Sequence, residues 1–150
     1  VHLRIFFDDQ RFSQKEIQTK NFEYHLQKIA QLKLPNFPKK DSVLELIFIN
    51  DREIRKLNFQ YRAKNKPTDV LSFSLPEKQV PEPSAPMLFG QICISLPTAK
   101  RQASEHRHSL SQELNILFVH GVLHLLGYDH ENDTDFQKMK VLEKKILAAG

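Results

Sequence analysis

The segment HGVLHLLGYDH, residues 120–130, places three of the chain's seven histidines at spacings that fix local geometry. It closes the run SLSQELNILFVHGVLHLLG, in which Leu110, Leu114, Leu117, Phe118 and Leu125 recur at helical intervals and predict a long helix ended by Gly127. On that helix His120 and His124 are four residues apart, so their rings leave one face a turn apart. His130 falls on the opposite side of a straight helix. A positive φ at Gly127 turns the chain back over the helix end and brings the third imidazole to the other two.

Three neutral imidazoles converging without an ion bury nitrogens with no partner, so the spacing points to a metal held by His120, His124 and His130. Three histidines leave a fourth position for water, the arrangement of catalytic zinc, whereas structural zinc is closed by four protein ligands, usually with cysteines. Imidazole also suits nickel and copper; zinc is the favoured ion. The spacing matches the metzincin motif H-E-x-x-H-x-x-G-x-x-H except that the glutamate position is Gly121. The protease's proton acceptor is therefore missing, which argues against peptide hydrolysis by that route.

At 150 residues and 40% hydrophobic content the chain suits one domain with its own core. Nothing in it approaches the roughly 20 apolar residues of a membrane helix. VHLRIFFDDQ lacks the pattern of a secretory signal, so the expected compartment is the cytoplasm. The single cysteine, Cys93, lies in the apolar run QICIS and reads as a buried strand residue without redox chemistry.

Along the chain, HLRIFF forms a first strand. SQKEIQTKNFEYHLQKIAQL follows as a helix, with Ser13 and Glu16 as a capping box, Ile17, Phe22, Leu26 and Ile29 near one face, and Pro35 and Pro38 as its stop. VLELIFI reads as a strand covered on both faces. Asn50 and Glu53 cap a helix over 51–62 that buries Ile54, Leu57 and Tyr61 and turns its arginines outward. KPTDVLSFSL leads into a third strand, PEKQVPEPSAPM is a loop, and LFGQICIS is a fourth strand. PTAKRQASEH is a helix, and after the long histidine helix a last one, TDFQKMKVLEKKILAA, packs through Phe136, Met139, Leu142 and Ile146. No repeat or low-complexity run occurs.

The net charge of +4 is mild, but residues 51–66 carry Arg52, Arg55, Lys56, Arg62, Lys64 and Lys66 against Asp51 and Glu53. Such a stretch serves either as a solvated helix face or as a surface for an anionic partner such as nucleic acid. His106 and His108, in a polar segment, read as surface positions. Asp69 and Asp129 read as structural carboxylates that cap a turn or orient a ligand.

Taken together, LNFQYRAKNKPTDVLSFSL, GQICIS, RHSLSQEL and above all HGVLHLLGYDH resemble the YbeY family of metal-dependent endoribonucleases, also described as rRNA maturation factors. The resemblance covers most of the chain. It implies a single α+β domain over 1–150, with a small mixed sheet of about four strands flanked by helices in a zincin-like arrangement. It also implies a metal on His120, His124 and His130 at the end of the long helix, and Arg62 as the functional arginine. The expected partner is RNA, rRNA or the small ribosomal subunit, rather than DNA or membrane. The expected activity is single-strand-preferring cleavage in rRNA maturation and ribosome quality control. Family members commonly have aspartate where this chain has Gln91, so the carboxylate is replaced here by a neutral amide.

A phosphodiester gains negative charge in its transition state, which a divalent ion and the planar fork of Arg62 both offset. Either water or the ribose 2′-hydroxyl suits as nucleophile. Two other classes share these features: a non-enzymatic rRNA-binding assembly factor with a structural metal, and a hydrolase of another ester or amide.

Overall fold

The structure, a computed structural model, describes residues 1–8, 17–39, 41–74, 87–129 and 131–148. Its elements follow in the order β1 (His2–Phe7), α1 (Lys20–Gln31), β2 (Ser42–Ile49), α2 (Asp51–Arg62), β3 (Val70–Ser74), β4 (Met87–Ser95), α3 (Leu96–Glu105), α4 (Leu110–Leu125) and α5 (Asp133–Leu147). The four strands form one sheet in the order β1-β2-β4-β3. β1 and β4 both run parallel to β2, while β3 is antiparallel to β4 and forms an edge of the mixed sheet. This is the expected α+β architecture.

Alternation along the strands assigns the two faces. Leu44, Leu46, Phe48, Ile92 and Ile94 point into the larger core with α1, α3, α4 and α5, whose buried members include Phe22, Ile29, Leu114, Phe118, Val122 and Ile146. Ile49, Leu71 and Cys93 point the other way and meet Ile54 of α2. Burying the apolar area of such side chains contributes roughly 1.5–3 kcal/mol each, so apolar residues on both faces of the inner strands hold the sheet between its two layers. Burial pushes the Cys93 thiol up to about 11, with the nearby Asp8 and Glu45 charges adding to it. That agrees with an inert strand cysteine.

Three expectations about the elements need correction. α1 begins at Lys20 rather than at residue 13, with Thr19 as a cap that makes no side-chain bond. Ile17 is buried from a bend outside the helix. The reason lies in the spacing: Phe22, Leu26 and Ile29 step by four and three, but Ile17 precedes Phe22 by five and falls off that stripe. The proposed capping pair Ser13 and Glu16, the loop at 76–86 and His130 lie outside the described residues. β2 is covered on both faces as expected, with Val43 and Ile49 buried on the α2 side and only Glu45 and Ile47 left half-buried.

Tyr61 is the second correction, standing 60% exposed at the end of α2. Phe136 is the third, more than a third exposed on α5. Elsewhere the caps are as the residues dictate. Asn50 accepts from the Glu53 N–H at 2.9 Å, and Pro97 sits in the first turn of α3. Ser109 and Gln112 close a capping box on α4.

Candidate metal centre

α4 is the helix that touches most of the molecule, packing on β3, β4, α1, α3 and α5. Its close seat on the sheet depends on Gly121. A Cβ there would lie 3.0 Å from Ile92 Cγ2 and 3.2 Å from Ser72 Oγ, and the Ser72 hydroxyl donates to the Gly121 carbonyl at 3.1 Å. Position 121 thus faces the sheet, and the glutamate of the protease motif has no room here. A Cβ on Gly90 would likewise come 2.9 Å from the Leu125 methyls. β4 and the last turn of α4 are therefore in tight contact.

The helix end forms as the sequence requires. Gly127 takes φ of +97°, its N–H donates to the His124 carbonyl at 3.0 Å, and Tyr128 N–H reaches back to the Leu123 carbonyl at 3.0 Å. Asn36 donates to the Leu126 carbonyl at 3.2 Å, tying the turn after α1 to this end. Beyond it, Asp129 accepts from the Glu131 N–H at 3.2 Å, which makes it a turn-capping carboxylate.

Where α4 meets α5, the His120 and His124 rings meet edge to face at 4.5 Å, with their Nε2 atoms 2.9 Å apart. Two ring nitrogens this close share either a proton or a cation. The other nitrogen of His120 is held by a carboxylate: Nδ1 lies 2.8 Å from Oε1 of Glu143 on α5, which accepts from it, and Nε2 is the nitrogen turned toward His124. A carboxylate behind a ligating imidazole is the usual support for a metal-bound histidine, and the donor set fits a divalent ion. A cavity of about 200 Å³ opens beside His120, walled by Phe136, Met139, Lys140 and Glu143. Lys140 Nζ stands 4.8 Å from the Phe136 ring centroid. Neither Glu143 nor Lys140 is signalled by the sequence, because both join the site through packing of α5 on α4.

A second cluster forms at the other end of α4. Glu113 is 2% exposed, and its Oε2 meets His106 Nδ1 at 3.1 Å and His108 Nε2 more closely still. The three donor atoms lie within 4.8 Å of one another, a group able to hold a metal ion. With its amide nitrogen turned toward the carboxylates, Gln102 bridges Glu113 Oε1 at 3.0 Å and Asp69 Oδ2 at 3.2 Å. His108 is therefore no surface residue, although His106 is exposed. Asp69 also accepts from the Val70 N–H at 2.8 Å, which bears out its structural reading.

Arg62 is the last residue of α2, exposed and on the opposite face of the sheet from α4. Buried Asn58 organises the basic turn that follows, donating to the Lys66 carbonyl at 2.9 Å, and Arg55 donates to Asn65 Oδ1 at 2.9 Å. Ala63 closes the helix in the left-handed region at φ of 56°. Among the described contacts none joins Arg62 to the His120–His124 pair.

Fold and site together define an α+β protein whose longest helix presents two converging imidazoles backed by a carboxylate. The chain matches the family described as Endoribonuclease YbeY over residues 8–149, and it belongs to that family. It is 45% identical over 125 residues to the endoribonuclease YbeY of Heliobacterium modesticaldum, covering 79% of this chain and 75% of that one. It is 51% identical over 109 residues to the one of Desulforamulus reducens, covering 71% of each. The solution structure of TM1509 from Thermotoga maritima is similar at 28% identity with a TM-score of 0.58, over 97% of this chain and 89% of that one.

Proposed function

We propose that this chain is a metal-dependent endoribonuclease that cuts single-stranded RNA, acts on rRNA during its maturation and quality control in the cytoplasm, and holds one zinc ion on His120, His124 and His130. The observation that carries this reading is the convergence of His120 and His124 with Glu143 behind the first ring. When bound, the ion supplies Lewis-acid stabilisation of charge that develops on a phosphate oxygen.

The remaining work falls to the chain's own side chains. Glu143 holds the Nδ1 proton of His120 and so keeps Nε2 available and aimed. Lys140, beside the cavity at His120, adds positive charge where a phosphate enters. Arg62 supplies a planar pair of donors that grips two phosphate oxygens as the scissile phosphate gains charge. It reaches the strand from the far face of the sheet, round the β3 edge. No carboxylate at position 121 takes part, since that position is packed against Ile92 and Ser72.

The test is incubation of metal-loaded protein with single-stranded and with structured RNA, beside a His120→Ala/His124→Ala variant analysed for bound metal. The expected result is about one ion per chain and single-strand cleavage in the wild type, with both lost in the variant. Full metal content in the double variant removes the histidines from the site. Wild-type protein that carries metal yet leaves both RNAs intact removes the nuclease reading.

A further inference from the structure

The face of the sheet opposite α4 is roofed by α2 only in part, and the gap is a groove of about 570 Å³, within the roughly 300–1,000 Å³ range of small-ligand clefts. Its walls are of three kinds. Ile47 and Leu57 are apolar and half-buried. Tyr61 and Phe73 meet edge to face at 5.0 Å, and Tyr61 leaves 60% of its surface open. Gln91, Glu53 and Asp8 are polar, and the Gln91 amide is fixed by donating to Glu45 Oε1 at 2.9 Å, which leaves its carbonyl oxygen as an acceptor.

The charges are sorted across this groove. Its interior carries the carboxylates of Asp8 and Glu53 and repels phosphate. Its rim, where Tyr61 passes into Arg62 and the turn at 63–66, is exposed and basic, with Lys64 and Lys66 beyond the helix. A ligand that suits both has a flat apolar body with hydrogen-bond donors on its edge and a negatively charged tail. That is a nucleotide within a single strand, its base inside and its phosphates on the rim. Phe59, 59% exposed on the same helix, offers a second flat surface beside the basic residues.

Register places this groove at the same end of the sheet as the histidine pair. Phe73 and Gln91 face each other across β3 and β4, and the next pair, Ser74 and Gly90, leads to Leu125, which neighbours His124. β3 is an edge strand, so a single RNA strand crossing it touches the groove on one face and the histidines on the other. Resting on the endoribonuclease reading above, we propose that the groove between α2 and the sheet seats one nucleobase bearing an exocyclic amino group, stacked on Tyr61 against Phe73, and so sets which nucleotide lies next to the cut.

The chain has no tryptophan, so Tyr61→Trp gives a single reporter. 2′-O-Methyl oligoadenylate, shown by gel to stay intact during the measurement, should quench that variant's emission, and an abasic 2′-O-methyl backbone of equal length should bind without quenching it. Tyr61→Ala should bind oligoadenylate roughly tenfold more weakly at unchanged affinity for the abasic backbone, and Tyr61→Phe should restore binding. Oligouridylate, whose base lacks the amino group, should bind more weakly than oligoadenylate. Equal affinity of wild type and Tyr61→Ala for oligoadenylate, or equal quenching by the abasic backbone, overturns base seating. Equal affinity for oligouridylate overturns the amino-group recognition. Cleavage of single-stranded RNA by metal-loaded wild type, run in parallel, separates these failures from failure of the nuclease reading itself.

Discussion

Glu143 Oε1 lies 2.8 Å from His120 Nδ1, so a residue of α5 determines which nitrogen of a histidine on α4 is available to a ligand. Glu143→Ala should leave the fold intact and weaken metal binding by about 10- to 100-fold, with Glu143→Gln losing less because its amide oxygen still accepts the same proton. Competition against a chelator of known affinity reads this directly. Identical metal affinity in wild type and Glu143→Ala would show that the carboxylate does not support the site.

Gly121 is required by shape. Gly121→Ala forces a methyl to within 3.0 Å of Ile92 Cγ2 and should cost about 1–3 kcal/mol of stability, read as a lowered midpoint in urea. Gly121→Glu adds a buried charge to the same clash and should unfold at still lower denaturant, with no gain in RNA cleavage. Pairing Gly121→Ala with Ile92→Val, which leaves Cγ2 in place but removes the Cδ1 methyl 3.1 Å from the added Cβ, should recover part of the loss. Absence of any recovery would place the clash elsewhere.

Arg62 stands apart from the histidines, on the far face of the sheet, and its substitution should separate chemistry from structure. Arg62→Ala should keep metal and thermal stability yet lose on the order of a hundredfold in RNA cleavage, with Arg62→Lys recovering only part because it lacks the paired donors. Wild-type rates in metal-replete Arg62→Ala would take the arginine out of the reaction.

Asp51 joins the start of α2 to the start of α3. Burial raises its pKa, but donors from Ser95 at 2.6 Å, Thr98 at 2.6 Å and Arg101 at 2.7 Å outweigh that and hold it below 3.8. A carboxyl depressed in the folded state stabilises above its unfolded pKa and loses that stabilisation as pH falls through the folded value. Asp51→Asn should therefore be less stable than wild type by roughly 1–3 kcal/mol at neutral pH, and the gap should close as pH drops below 3.8. A gap that stays constant down to acid would mean the charge is not what these donors recognise.

Local patterns were readable from the residues where the signal is local. β1 and α2 match their expected spans, and β2 starts one residue earlier. The reversal at Gly127 follows from glycine alone. What depended on tertiary packing was not readable. Tyr61 continues the apolar spacing of Ile54 and Leu57, but the sheet has ended its cover by that turn, and the ring is left at the rim of a groove. His108 sits in a polar segment, yet it turns in to Glu113 because α3 and α4 pack side by side. Glu143 reads as one of several charges on an amphipathic helix. Only the meeting of α4 and α5 gives it a role.

That meeting is close along the chain, whereas β1, β2 and β4 pair in parallel through long crossovers, the kind of contact that closes slowly. The α4–α5 pair can thus form while the sheet is incomplete, and with it the His120–His124–Glu143 set, but the groove under α2 exists only once β3 has docked on β4. An ion taken up by that set would stabilise the α4–α5 packing on which the set depends, since only the packed pair brings both imidazoles together with their carboxylate.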